Sequence, residues 1–178
     1  MTIHQMQVAF DAAEDRLLLR FSTKAGEEFR LFLTRRFVRL LWPELTRALE
    51  LAVAIKAPAV DARRELVAFE HEKAVRESDF SRGFDEPAPA VPRRFPLGET
   101  PYNAVNGRVR AEGPGKFCLT LNPAKGAGIE LAVDDRLMHS LCRLIESAAR
   151  KAEWDLPMFA NDTGPATAQT PAQPRLLN

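Results

Sequence analysis

Between residues 17 and 33 apolar side chains fall on every second position: Leu17, Leu19 and Phe21, then, past Gly26, Phe29, Leu31 and Leu33. Alternation at period two predicts two strands, each with one buried face, joined by a turn. From Phe37 the period changes. Phe37, Leu41, Leu45, Ala48 and Ala52 recur at intervals of three and four, the stripe of an amphipathic helix. One hundred residues later the same succession returns. Phe117, Leu119 and Leu121 alternate, Gly126 marks a turn, and Ile129, Leu131 and Val133 alternate again. Leu137, Leu141, Ile145, Ala148 and Ala152 then take the helical spacing.

An earlier strand fits in front of each copy. Met6, Val8 and Phe10 alternate in the first; Val105, Gly107 and Val109 do so in the second, at an offset of 99 rather than 100. Each unit therefore reads strand, strand, strand, helix. A three-stranded sheet with one helix is too thin to bury a core alone, so two such units gain by packing together. The predicted fold class is α+β: two tandem βββα repeats, each a three-stranded antiparallel sheet with one amphipathic helix, related by an approximate two-fold. Pro43 falls inside the first helical stripe, where it removes a donor and crowds the preceding turn. A kink or restart is expected near Leu41 and Trp42, and Trp42 itself is expected to anchor the core or an interface.

The copies are separated by a different kind of chain. Residues 61–78 are strong helix formers behind a start signal at Asp61, with a narrow stripe of Leu66, Phe69 and Ala74, which predicts an additional surface helix. Five prolines between 87 and 101 predict an extended strap, pinned to the core by Phe80, Phe84 and Phe95. From Asn161 the chain is Ala, Thr, Gln and Pro with almost nothing apolar, the composition of a disordered tail. The expected organisation is a first repeat over 1–56, a connecting helix and strap over 57–101, a second repeat over 102–156 and a tail over 157–178.

Charge narrows the function classes. The 178 residues carry 25 Lys and Arg against 24 Asp and Glu, a net charge of +1, so no strongly basic tail or acidic domain is visible. No secretory signal opens the chain and no apolar run approaches the roughly 20 residues that span a bilayer. A cytoplasmic protein without a membrane partner is expected. Cys118 and Cys142 lack any CxxC partner and read as free thiols in a reducing compartment.

Catalytic motifs are missing. His4, His71 and His139 lie in three different elements without metal-ligand spacing. His71 stands among glutamates on the connecting helix, as a solvated histidine would, and His139 falls on the polar side of the second helix. Asp134 and Asp135 open that helix, where a cap and a first-turn acid serve stability. No catalytic residue, metal or cofactor is expected, and the chain reads as a non-enzymatic binding or regulatory protein.

Arginine supplies the candidate site. The first helix opens with Arg35 and Arg36 and adds Arg39, positive charge where the helix dipole favours negative. An anion such as phosphate would satisfy both the free backbone donors and the guanidinium groups. The alternative is internal pairing with Glu27, Glu28, Asp134 or Asp135. By alternation Leu18, Arg20, Arg30 and Phe32 point outward from the first sheet, and Arg108, Arg110, Thr120 and Asn122 from the second. Arginines interleaved with an aromatic on a sheet face suit single-stranded nucleic acid, through phosphate contacts and base stacking. The expected nucleic-acid-binding residues are Arg20, Arg30, Phe32, Arg35, Arg36, Arg39, Arg108 and Arg110. The competing expectation is a protein-interaction or assembly module, contacting a protein partner or a second copy through Leu18, Phe32, Trp42 and the strap. In plan alone, tandem sheet-plus-helix units resemble the PUR and Whirly single-strand-binding families. Those set four strands before each helix where three are legible here, and no residue of theirs is carried across.

Overall fold

The computed structural model describes residues 3–57, 63–77, 84 and 92–156. Strand β1 (Ile3–Asp11) turns back into β2 (Arg16–Thr23), and β2 into β3 (Glu28–Thr34), all antiparallel. The first turn is drawn in by the Asp11 carboxylate, which accepts from the backbone N–H groups of Ala13 and Glu14. Gly26 supplies the positive φ of 79° that the second turn needs. Leu17, Leu19, Phe21, Phe29, Leu31 and Leu33 are all buried, and the Phe21 and Phe29 rings stack at 5.0 Å. A fourth strand not expected from the pattern, β4 (Tyr102–Asn103), runs parallel to β3 at the edge. The second sheet holds β5 (Asn106–Gly113), β6 (Lys116–Asn122) and β7 (Ile129–Asp134) in that order, antiparallel throughout.

Helices α1 (Arg35–Lys56) and α3 (Asp135–Lys151) follow directly from β3 and β7. The residue at each junction is the cap. Thr34 Oγ1 accepts from the Phe37 N–H at 3.2 Å, and Asp134 Oδ1 from the Leu137 N–H at 2.8 Å. Contrary to the expected restart, α1 runs unbroken through Pro43. Arg39 and Pro43 are both exposed, so water can take the Arg39 carbonyl that the proline leaves without its helical donor. Trp42 is buried as expected.

The helices cross over. α1 lies against β5 of the second sheet, and α3 against β1 of the first. Gly107 in β5 makes the first of these contacts close: a Cβ there would stand 3.0 Å from Phe37 Cζ and 3.2 Å from Leu41 Cδ1. Both sheets and all three helices consequently feed one apolar core, in which Leu17, Leu45, Leu49, Phe117, Leu119 and Met138 are essentially sealed from water. Trp154 closes the far end. It meets Phe10 edge-on at 6.4 Å while its indole N–H donates to Asp15 Oδ1 at 3.0 Å, tying the exit of α3 to the β1–β2 turn.

Helix α2 (Arg63–Glu77) rests on α1 and α3. Its buried residues are Val67, His71 and Ala74, spaced by four and three; Phe69, expected on that stripe, is 64% exposed. The two thiols, Cys118 and Cys142, are free and buried, and burial pushes the Cys142 thiol up to about 12. Among the described residues no helix is long and apolar enough to cross a membrane. Phe80, Pro87 and Pro89 of the proline run and the tail from residue 157 lie outside the described residues.

Candidate functional site

Alternation along β2 and β3 puts Arg20 and Arg30 on the outer face of the first sheet, directly paired in register. Glu28 shares that face and is 1% exposed. Its carboxylate receives Arg20 Nε at 3.0 Å, Arg30 Nε at 2.7 Å and, from the strap, Arg93 Nη1 at 2.7 Å. Burial pushes the Glu28 carboxyl up. Hydrogen bonds from Arg30 and Arg20, with their charge, outweigh that and hold it below the usual carboxylate range.

Aromatic rings roof this cluster. Phe84 lies over the Arg20 guanidinium at 4.2 Å, and Phe95 over that of Arg30 at 4.6 Å. The strap is zipped to the sheet beside them: the Glu28 N–H donates to the Arg94 carbonyl, and the Arg94 N–H to that of Gly26. Arg30 Nη1 also reaches the Glu99 carbonyl at 3.3 Å. Phe32 is half-buried, with the Arg16 guanidinium 5.4 Å from its ring centre. Phe84 and Phe95 thus pin the strap to the outer, arginine-bearing face of the first sheet and not to the core as expected, and Arg20, Arg30 and Phe32 are engaged within the fold.

The second sheet is different. Arg108 and Arg110 on β5 are exposed, opposite Thr120 and Cys118 of β6. Arg110 lies 3.5 Å from Glu112, and Glu130 is the acid across Thr120 from Arg108. Strand β5 is the edge of its sheet, and Phe37 of α1 sits on Gly107, the residue before Arg108. The first turn of α1 therefore lies by the start of β5, on the sheet face opposite the one that carries Arg108 and Arg110, and Arg35, Arg36 and Arg39 are exposed.

The carboxylates proposed as internal partners of the helix arginines are engaged elsewhere. Glu28 holds Arg20, Arg30 and Arg93; Glu27 faces Arg94 at 3.9 Å; Asp134 caps α3; Asp135 pairs with Lys56 at 2.6 Å. Among the described residues no carboxylate pairs with Arg35, Arg36, Arg39 or Arg108. Of the residues expected to form an apolar contact surface, Leu18 and Phe32 are half-buried and Trp42 is buried.

One polar cluster was not anticipated. His71 and His139, expected to be solvated, are 7% and 1% exposed, with ring centres 5.5 Å apart where α2 meets α3. Burial depresses both imidazoles, His139 to about 4, with the positive charges of His71 and Lys56 adding to the effect and Asp135 opposing it. Lys56 Nζ bridges Asp135 at 2.6 Å and Glu70 at 3.4 Å beside them. Burial lowers the Lys56 ammonium, but its bond to Asp135 more than restores it, leaving it above its ordinary value.

Comparison with known protein families, curated proteins and solved structures finds no match.

Proposed function

We propose that the chain is a non-enzymatic binding protein that holds single-stranded nucleic acid along the edge strand β5. Arg35, Arg36 and Arg39 grip phosphates on one side of the strand, and Arg108 and Arg110 on the other. The observation that carries this reading is the uneven use of arginine. Arg20 and Arg30 surround a buried carboxylate, whereas Arg35, Arg36, Arg39 and Arg108 are exposed and unpaired by any described acid. Thr120 and Asn122 offer neutral hydrogen-bonding groups on the same open face. Among the described residues that face carries no aromatic side chain, so the contact is electrostatic and indifferent to base sequence.

Fluorescence anisotropy with a labelled oligonucleotide over a series of salt concentrations tests it. Affinity should fall steeply with salt, and replacing Arg108 and Arg110 with alanine should weaken it and flatten the slope. Absence of binding at low salt ends the proposal.

The same reading takes the two βββα runs as copies of one unit about an approximate two-fold. Its support is the offset of 100 shared by the caps Thr34 and Asp134, by the capped N–H groups of Phe37 and Leu137 and by the helix starts, together with the reciprocal seating of each helix on the other sheet. Fragments 1–57 and 58–178 should then be unfolded apart and reassemble on mixing. A fragment that melts cooperatively alone counts against it.

A protein-interaction role has one specific observation in its favour. Leu40, Leu51 and Ile55 are 60%, 51% and 50% exposed on α1. Association through them would strengthen or hold with rising salt, the opposite of phosphate binding.

A further inference from the structure

Where α1, α2 and α3 meet, a group of side chains stands outside the arginine surface. Asp135 and His139 are four residues apart on α3, which sets them on one face of the helix. Glu70 approaches from α2. A carboxylate oxygen of Glu70, one of Asp135 and a ring nitrogen of His139 all lie within 4.8 Å of one another. Two neighbouring acids on a surface carry little meaning by themselves. His139 adds what they lack. It is 1% exposed, and neither of its ring nitrogens has a hydrogen-bond partner. Buried polar atoms are nearly always satisfied, so an imidazole with two unsatisfied nitrogens beside two carboxylates marks a place for a ligand that accepts its lone pair.

The same cluster already contains a positive charge. The Lys56 ammonium, at the last residue of α1, contacts both carboxylates. It neutralises Asp135 and Glu70 but leaves the imidazole unsatisfied. Its side chain is 29% exposed, which gives it a path outward.

We propose that Glu70, Asp135 and His139 bind a divalent transition-metal ion of the zinc class that pins α2 to α3, with Lys56 as the built-in competing cation. One neutral imidazole nitrogen and two carboxylate oxygens are the donors zinc accepts, whereas magnesium and calcium take oxygen ligands alone. Three protein ligands leave a fourth position for water. Zinc–ligand bonds of about 2.0–2.2 Å require the donor atoms to draw together by about an ångström. The half-buried carboxylates of Glu70 and Asp135 can supply that shift by rotamer change once the ammonium swings out. Binding then satisfies one His139 nitrogen and joins two helices that already meet at the His71–His139 ring contact and where Arg136 Nη2 donates to the Glu77 carbonyl.

Calorimetric titration of the untagged, chelator-stripped full chain with zinc chloride, with magnesium chloride as control, tests the site. One zinc ion per chain should bind and raise the Tm, while magnesium does neither. Glu70→Gln changes a half-buried side chain on the outermost helix, so the protein should remain folded; its zinc affinity should fall at least tenfold and its Tm should no longer respond. Lys56→Met should bind zinc more tightly than the unaltered protein, because the competing ammonium is gone. Absence of stoichiometric zinc binding overturns the proposal, and so does an affinity left unchanged by either substitution. Oligonucleotide binding belongs to a different surface, so failure here leaves the nucleic-acid reading standing, and the reverse holds too.

Discussion

Both sheets turn arginines outward, yet the two faces have opposite surroundings. On the first, Arg20 and Arg30 meet Glu28 and lie beneath Phe84, Phe95 and Arg93. On the second, Arg108 and Arg110 stand exposed beside Thr120 and Cys118. A carboxylate enclosed under a strap needs its cations, since losing one partner of a buried pair leaves the other charged and dry. Arginine on a covered face thus becomes part of the fold, whereas arginine on an open one is available to a ligand. Residue type and facing are shared; the cover makes the difference.

Removing the buried acid should give the largest effect. Glu28→Ala is expected to cost about 3–5 kcal/mol in urea unfolding, whereas Glu130→Ala on the exposed face should stay within about 0.5 kcal/mol. Equal losses would break the comparison. Next comes the contact between the halves. Gly107→Val places new atoms against Phe37 and Leu41 and should cost about 1–3 kcal/mol by the same measurement.

Acid should separate the faces further. Because the Glu28 carboxyl is held below its ordinary 4.5, its stabilising contribution is complete above that value and is lost as pH falls through the lower, folded-state pKa. Amide exchange at residues 92–97 should accelerate there before exchange in β6 does; simultaneous opening would mean that Glu28 does not hold the strap.

Salt gives a smaller and sharper contrast. Alanine at Arg108 and Arg110 should reduce the slope of log affinity against log salt by about 1.4, since each lost phosphate contact on a single strand removes about 0.7. Alanine at Arg20 and Arg30 should lower stability and leave that slope alone. Smallest of all, alanine at Arg35 and Arg36 should shift stability upward by a few tenths of a kcal/mol, because unfavourable charge leaves a helix N-terminus.

The pattern of the chain made the inner faces legible, because burial on one side enforces alternation in strands and a stripe in helices. Every apolar position from Leu17 to Leu33 and from Phe117 to Val133 that alternates is buried. What alternation cannot express is what lies on the other side. Leu18, Arg20 and Arg30 read the same whether the face is wet or roofed, and the roof comes from Phe84, Phe95 and the edge strand at Tyr102 and Asn103, far along the chain. The histidines failed for a related reason. His71 among glutamates has a polar local context, but its burial is imposed by α3, which lies some seventy residues away. Asp135 and His139 did carry a signal in their four-residue spacing. It was masked because an acid in the first turn of a helix already has a reason to be there.

The crossing of the helices also sets a timetable for synthesis. The seat of α1 on β5 is made about fifty residues after Lys56 has left the ribosome, since β5 begins at Asn106. At roughly 5–20 residues per second, the apolar flank around Phe37 and Leu41 waits on the order of several seconds for its strand. During that interval the nascent chain offers an unfinished sheet and a greasy helix to whatever is nearby. Slow codons or a stalled ribosome between residues 57 and 105 would lengthen the exposure, and a holdase chaperone at the tunnel exit would have its work there.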